Sequence, residues 1–199
     1  MRKTVLSLSR RRAIGGLVGL GYGCRLAAQQ LLRYKIDTSR SKLRLITRAI
    51  GVGDVVCEMN AIYGEVHYDP VGLSGSSQVQ IDTSSLRVID FPLTWLARSR
   101  EFLDTSRFPI ASFVSSDLQF DGGVPTTITG ALTIKGITRR KRFEVKKIEL
   151  EQTTSETKAR LSVEASRRLS RSHFEIRGLP GLVDDLVQVE LLLSAQAVS

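Results

Sequence analysis

Apolar residues recur at every second position along most of this chain. In 42–48, Leu43, Leu45 and Thr47 fall on one side and Lys42, Arg44 and Arg48 on the other. Ile62, Gly64, Val66 and Tyr68 alternate with Tyr63, Glu65 and His67, and Val79 and Ile81 alternate with Gln78, Gln80 and Asp82. Further on, Ile128, Gly130, Leu132 and Ile134 alternate with threonines and Ala131. Ala159, Leu161, Val163 and Ala165 alternate with polar partners, and Val187, Val189, Leu191 and Leu193 close the series. A period of two means a strand with one buried and one wet face, the habit of antiparallel sheets.

Two strand-like stretches break the rule. In 110–120, Phe113 lies on one side and Ile110, Val114, Leu118 and Phe120 on the other, which predicts two partly covered faces. In 141–150 the parity shifts between Val145 and Ile148 across Lys146-Lys147, which predicts a bulge. Turns are marked by Asp69-Pro70-Val71-Gly72, Asp121-Gly122-Gly123 and Lys135-Gly136. Residues 93–104 space Leu93, Trp95, Leu96, Phe102 and Leu103 roughly as a helix would, and 166–181 read as a short helix or loop. So many amphipathic strands must manage their edges, and closure into a barrel of about eight strands removes them. The fold predicted is all-β: a single antiparallel lipocalin-like β-barrel with one or two short helices.

The N-terminus differs from the rest. Residues 1–12 are basic, 13–24 are apolar and Gly-rich, and Leu26-Ala27-Ala28 supplies small residues. That is the order of a signal peptide, with an apolar run too short to span a bilayer. Ser9-Arg10-Arg11-Arg12 is compatible with the twin-arginine route as well as the general one. The division expected is 1–28 as leader and 29–199 as one domain, periplasmic or secreted. Cys24, inside the leader, raises lipidation, although the residue three before it is Gly21.

Charge and chemistry narrow the function. The net charge is +9, but 1–28 hold six basic residues and no acid, which leaves 23 basic against 20 acidic residues, or +3. That weakens a nucleic-acid partner, as does an aromatic content of 6%. The run Arg139-Arg140-Lys141-Arg142 could meet phospholipid or pyrophosphate head groups, or serve as a solvated turn that discourages edge pairing. His67 and His173 are far apart in sequence, no Cys or His pair has metal-ligand spacing, and no nucleophile elbow or Walker loop is present. No catalytic residue and no metal site is expected. Cys57 reads as a small apolar residue rather than a nucleophile. Alternation alone favours a filled core over a cavity.

The motifs, taken in order, resemble the YceI-like, polyisoprenoid-binding family of bacterial envelope proteins. Tyr34-Lys35-Ile36-Asp37 followed by Ser41 looks like its opening strand, and Val79 to Leu86 like its I-D-x-x-S-L element. Glu101 to Pro109 with Phe113 and Ser115 resembles F-L-D-x-x-x-F-P-x-x-x-F-x-S. Gly130 to Arg139 resembles the G-x-L-T-I-x-G-V-T hairpin, and Arg171-Ser172-His173-Phe174-Glu175-Ile176 resembles R-S-x-F-G-I. The sequence departs from the pattern in having Arg40 before Ser41, no His in Ile46–Gly51, and Glu175 in place of Gly.

The resemblance implies a long apolar lumen, and the apolar faces of the strands and of 93–104 put Leu43, Leu45, Trp95, Phe102, Phe113, Leu132, Ile134 and Phe174 forward as its lining. It implies a polyisoprenoid, an isoprenoid quinone or another long-chain amphiphilic lipid as ligand, for transport, storage or sequestration, with no cofactor and no catalysis. A ligand-free structural barrel and a lipid-modifying enzyme are the competing readings. Which lipid is bound, transient membrane contact and a homodimer all stay open at this point.

Overall fold

The computed structural model describes residues 32–89, 92–151 and 159–198; the leader read in 1–28 lies outside them. Eleven strands form one antiparallel sheet. They are β1 (Leu32–Ile36), β2 (Lys42–Ala49), β3 (Gly53–Met59), β4 (Ile62–Asp69), β5 (Ser74–Asp82), β6 (Arg87–Val88), β7 (Ile110–Asp121), β8 (Val124–Ile134), β9 (Ile137–Glu151), β10 (Arg160–Ser170) and β11 (Leu186–Ala197). One α-helix, α1 (Thr94–Arg98), precedes β7.

The eleven make eight walls. β11 pairs with β2 through Gln188–Leu192 and with β1 through Ala195–Ala197, so β1 and β2 lie end to end along one edge. β4 and β3 pair with β1 and β2 in turn, and β5 and β6 with β4 and β3. From β5 the order runs β7, β8, β9, β10, β11 and back to β1, which closes an up-and-down barrel. Closure pairs most of the strand edges, the expected solution for strands of this amphipathicity.

A repeated tetrapeptide breaks two of the walls. Ile36-Asp37-Thr38-Ser39 recurs as Ile81-Asp82-Thr83-Ser84. In each, the Asp Oδ1 accepts from the backbone N–H and the hydroxyl of the serine two residues on, at 3.1 and 2.6 Å for Asp37 and 2.8 and 2.6 Å for Asp82. Such local bonding competes with the ladder and winds a 3-10 turn in both places. The third break, at Asn60-Ala61, sits beside them: Thr38 donates to the Ile62 carbonyl at 2.8 Å, and Asp82 N–H donates to the Ala61 carbonyl at 2.9 Å. Three adjacent walls are therefore interrupted at one level, and β2, β3 and β6 form an upper flap that stays paired to β11 through β2.

Pleat parity decides the interior. Tyr34, Ile62, Leu86, Leu161 and Phe174 are fully buried. The bulge expected in β9 is present: Glu164 faces Lys147 and Ala165 faces Val145, which leaves Lys146 unpaired. β7 departs from expectation. Ser115 faces Gly130 and Asp117 faces Thr129, so the unpaired Ser116 switches the parity. Leu118 then joins Phe113 on the inner side, while Ile110 and Val114 stay exposed, and two half-covered faces become one lumen-facing row. The helical spacing over 93–104 yields only the five residues of α1, followed by turns, and β10 extends through Ser170 before a 3-10 turn at Arg171–Phe174. β3, whose Val55-Val56-Cys57 run hides the alternation, is a strand that the pattern missed.

Candidate functional site

Inward-facing side chains do not fill the barrel. Two apolar lobes of about 160 and about 310 Å3 lie along its axis. Leu45, Leu103, Ile134, Leu169 and Val189 border both, so the lobes adjoin at a neck made by these five side chains. The lower lobe lies among β2–β5 and β7–β11, and small residues at Gly75, Ala111 and Ala165 leave its space open. The upper lobe lies under the flap and is roofed by α1 and by the segment from Leu179 to Val183. An apolar cavity of roughly 150 Å3 stays dry and takes a benzene-sized guest, so the lower lobe has room for about one five-carbon unit and the upper for about two. Small-molecule pockets begin near 300 Å3.

Leu43, Leu45, Phe113, Leu132 and Ile134 line the lower lobe, and Leu45, Ile134, Phe102 and Phe174 line the upper. Trp95 lines neither and is 69% exposed. The reason is helical rotation: α1 turns about 100° per residue, so Leu93, Leu96 and Ala97 face the upper lobe and Trp95 points away. The tunnel position expected for Trp95 is therefore corrected: its side chain is exposed and lies in neither lobe. The rim of the upper lobe exposes Ile50, Val52, Leu179 and Leu182. Its loops are tied together by Ile50 N–H to the Leu182 carbonyl and Asp184 N–H to the Arg48 carbonyl, both at 2.8 Å.

With this geometry in view, comparison with known proteins is decisive. The profile of the YceI-like domain matches residues 34–195. The chain belongs to the YceI-like family. A UPF0312 protein of Shewanella denitrificans is 31% identical over 109 residues, which are 53% of this chain and 57% of that protein, so the chain spans little more than half the length of that relative. A UPF0312 protein of Pectobacterium atrosepticum is 29% identical over 151 residues, 74% of this chain and 73% of that protein. Among solved structures, BcnA of Burkholderia cenocepacia superposes with a TM-score of 0.67 at 24% identity, over 81% of this chain and 99% of that one. A polyisoprenoid binding domain from Saccharophagus degradans superposes at 0.59 and 15% identity, over 84% and 99%. At these identities the structures show the shared fold.

Several positions of the YceI-like signature now have a physical role. Arg171 is buried, and its guanidinium donates to the carbonyls of Asp184, Ile176, Gly178 and Val183 at 3.0, 3.0, 2.8 and 2.9 Å. It satisfies four carbonyl acceptors of one irregular segment and so holds the wall of the upper lobe. Its guanidinium carbon lies 5.9 Å from the centroid of the Phe102 ring. Gly178 approaches that ring so closely that a Cβ there would sit 2.3 Å from it.

Glu175, the departure from Gly, adopts φ 54°, the left-handed conformation that favours glycine. Ser41, in the opening motif, is buried and receives the Ser194 N–H at 3.1 Å, locking β1 and β2 to β11. Cys57 lines the upper lobe, where burial pushes its thiol up to about 11 and keeps it protonated at neutral pH. Sequence reasoning missed the parts played by Arg171 and Gly178, whereas Cys57 is the small apolar residue it was read to be. The first lay within a recognised motif, but its partners are set by a loop that pattern cannot place.

Proposed function

We propose that this chain binds a polyisoprenoid or another long-chain amphiphilic lipid, with the chain threaded through the neck into both lobes. The observation that carries the reading is the pair of adjoining apolar lobes, which share five lining residues. A prenyl chain is apolar and segmented, and it gains roughly 25 cal/mol for every Å2 it buries there. The polyisoprenoid binding domain that shares the fold supports it. The protein acts as a binder rather than a catalyst, in the periplasm or outside the cell. Organic extraction and mass spectrometry of protein purified from its native host tests this. Recovery of a prenyl or fatty-acyl lipid is expected; repeatedly empty protein that also fails to bind prenyl alcohols would overturn it.

The role we favour is carriage between lipid surfaces, because the lining of the upper lobe exposes Ile50 at 70% together with Val52 and Leu182, and Trp95, next to the lobe-lining Leu96 in α1, is 69% exposed. An apolar ring around an apolar mouth lets a chain leave a membrane without crossing water. Trp95 is the chain's one tryptophan and reports the contact directly. Its emission should shift to the blue on addition of phosphatidylcholine vesicles, and Ile50→Ser should weaken the shift. A spectrum indifferent to vesicles removes the carrier reading, and a shift that follows protein concentration without vesicles assigns the rim to a second copy.

A further inference from the structure

The wall between β9 and β10 is incomplete. Their ladder ends at Glu144 facing Ser166, and beyond it the edge of β9 from Phe143 back to Ile137 has no strand partner on that side among the described residues. Arg167 spans the opening, its Nη1 donating to the Arg142 carbonyl. Pleat parity makes the seam unusual. Arg139 faces Leu132, Lys141 faces Gly130 and Arg167 faces Val189, so all three occupy positions whose neighbours point to the lumen. Cations there would be untenable in a closed wall. The opening lets them reach a groove on the outside.

That groove is lined by Arg140, Lys141, Arg142, Arg167 and Arg168, with Ser166 and Thr129. Its carboxylate, Glu144, is taken by Lys146, and Arg140 pairs with Asp117 at 2.8 Å. Among the described residues no ion pair engages Lys141, Arg142, Arg167 or Arg168, and the Nε of Arg167 is buried without a partner. Lys141 titrates below its ordinary value because of burial first, then the charges of Arg167 and Arg139. Its Nζ lies 5.6 Å from the centroid of the Phe174 ring, and that ring lines the upper lobe. The cationic groove and the apolar lumen are thus one aromatic ring apart.

We propose that this seam is a binding site for a phosphate or diphosphate group. Guanidinium forks match the oxygens of such an anion and an ammonium adds a point charge, so an anion satisfies the unpaired donors that mutual repulsion otherwise penalises. Two sources share the chemistry: the head of an amphiphile whose chain lies in the lumen, and a free anion. Only the first rests on the lumen reading.

Titration calorimetry of the full chain with inorganic diphosphate, a three-unit prenyl diphosphate and the matching prenyl alcohol separates them. The variants are Arg142→Gln with Arg168→Gln, both solvent-facing, and separately Lys141→Gln, each checked for an unchanged melting transition. The seam predicts that every phosphate-bearing probe that binds loses at least about tenfold in affinity in the variants (~1.4 kcal/mol) and also weakens with added salt, while the alcohol is unaffected. Prenyl diphosphate far tighter than inorganic diphosphate identifies a head group; equal affinities identify a free anion. Phosphate probes that do not bind, or that bind wild type and variants alike, overturn the site. Loss of alcohol binding alone counts against the lumen and leaves the seam standing.

Discussion

Ala165 offers a clean test of whether the lumen holds a chain. It is buried at the middle of β10 and borders the lower lobe. Ala165→Phe adds a ring of benzene size to a space of about 160 Å3, where a cavity of roughly 150 Å3 takes benzene. Filling a void recovers roughly 24 cal/mol per Å3, offset by about 1–3 kcal/mol of fitting strain, so stability should be unchanged or slightly raised. Binding should respond differently. The ring displaces about one five-carbon unit, worth at most ~4 kcal/mol at about 0.8 kcal/mol per buried carbon. Allowing half for imperfect packing and chain ordering leaves ~2 kcal/mol, or about 30-fold in Kd. Prenyl alcohols of two, three and four units, titrated by calorimetry, should show the loss only for chains too long for the upper lobe. Three-unit affinity that survives the substitution, or a two-unit ligand that loses as much as a longer one, would refute the threading of the chain through the neck.

Other substitutions test the walls. Gly178→Ala would push a methyl into the Phe102 ring, at a cost of about 1–3 kcal/mol and with weaker ligand binding in the upper lobe; an unchanged denaturation midpoint would contradict the close approach. Glu175→Gly removes a left-handed strain of about 1 kcal/mol and should raise Tm by roughly 2–4 °C, so a fall would show the side chain does something the backbone does not require. Cys57 has a folded value of about 11 against an ordinary 9.0, so stability is untouched below pH 9.0 and falls as pH rises from there toward 11, where the unfolded chain ionises first. Urea titrations should show that decline in the wild type and less of it in Cys57→Ala, and native protein at neutral pH should resist iodoacetamide.

Much of the barrel was legible in sequence because alternation is local. The pleat sends successive side chains to opposite faces, so Leu43 and Leu45, or Leu132 and Ile134, need no distant partner to declare their side. The bulge after Val145 was legible for the same reason, since a parity slip within one strand is visible in that strand. β7 was harder: Leu118 and Phe113 look opposed until Ser116 is known to be unpaired, and pairing is a fact about two strands. α1 misled because Trp95 shares an apolar character with Leu93 and Leu96 but not a direction.

What the sequence determined by itself was an amphipathic all-β chain, the family through its ordered motifs, and which strand faces are apolar. Tertiary structure decided whether those faces meet. Pattern favoured a filled core, yet two lobes stay open, because lumen volume depends on how eight walls close and on small residues such as Gly75, Ala111 and Ala165 lining it. It also decided the fate of Arg139, Lys141 and Arg167, whose parity would bury them. They are tolerated because the β9–β10 ladder stops at Glu144 and Ser166, and no single strand records where its neighbour lets go.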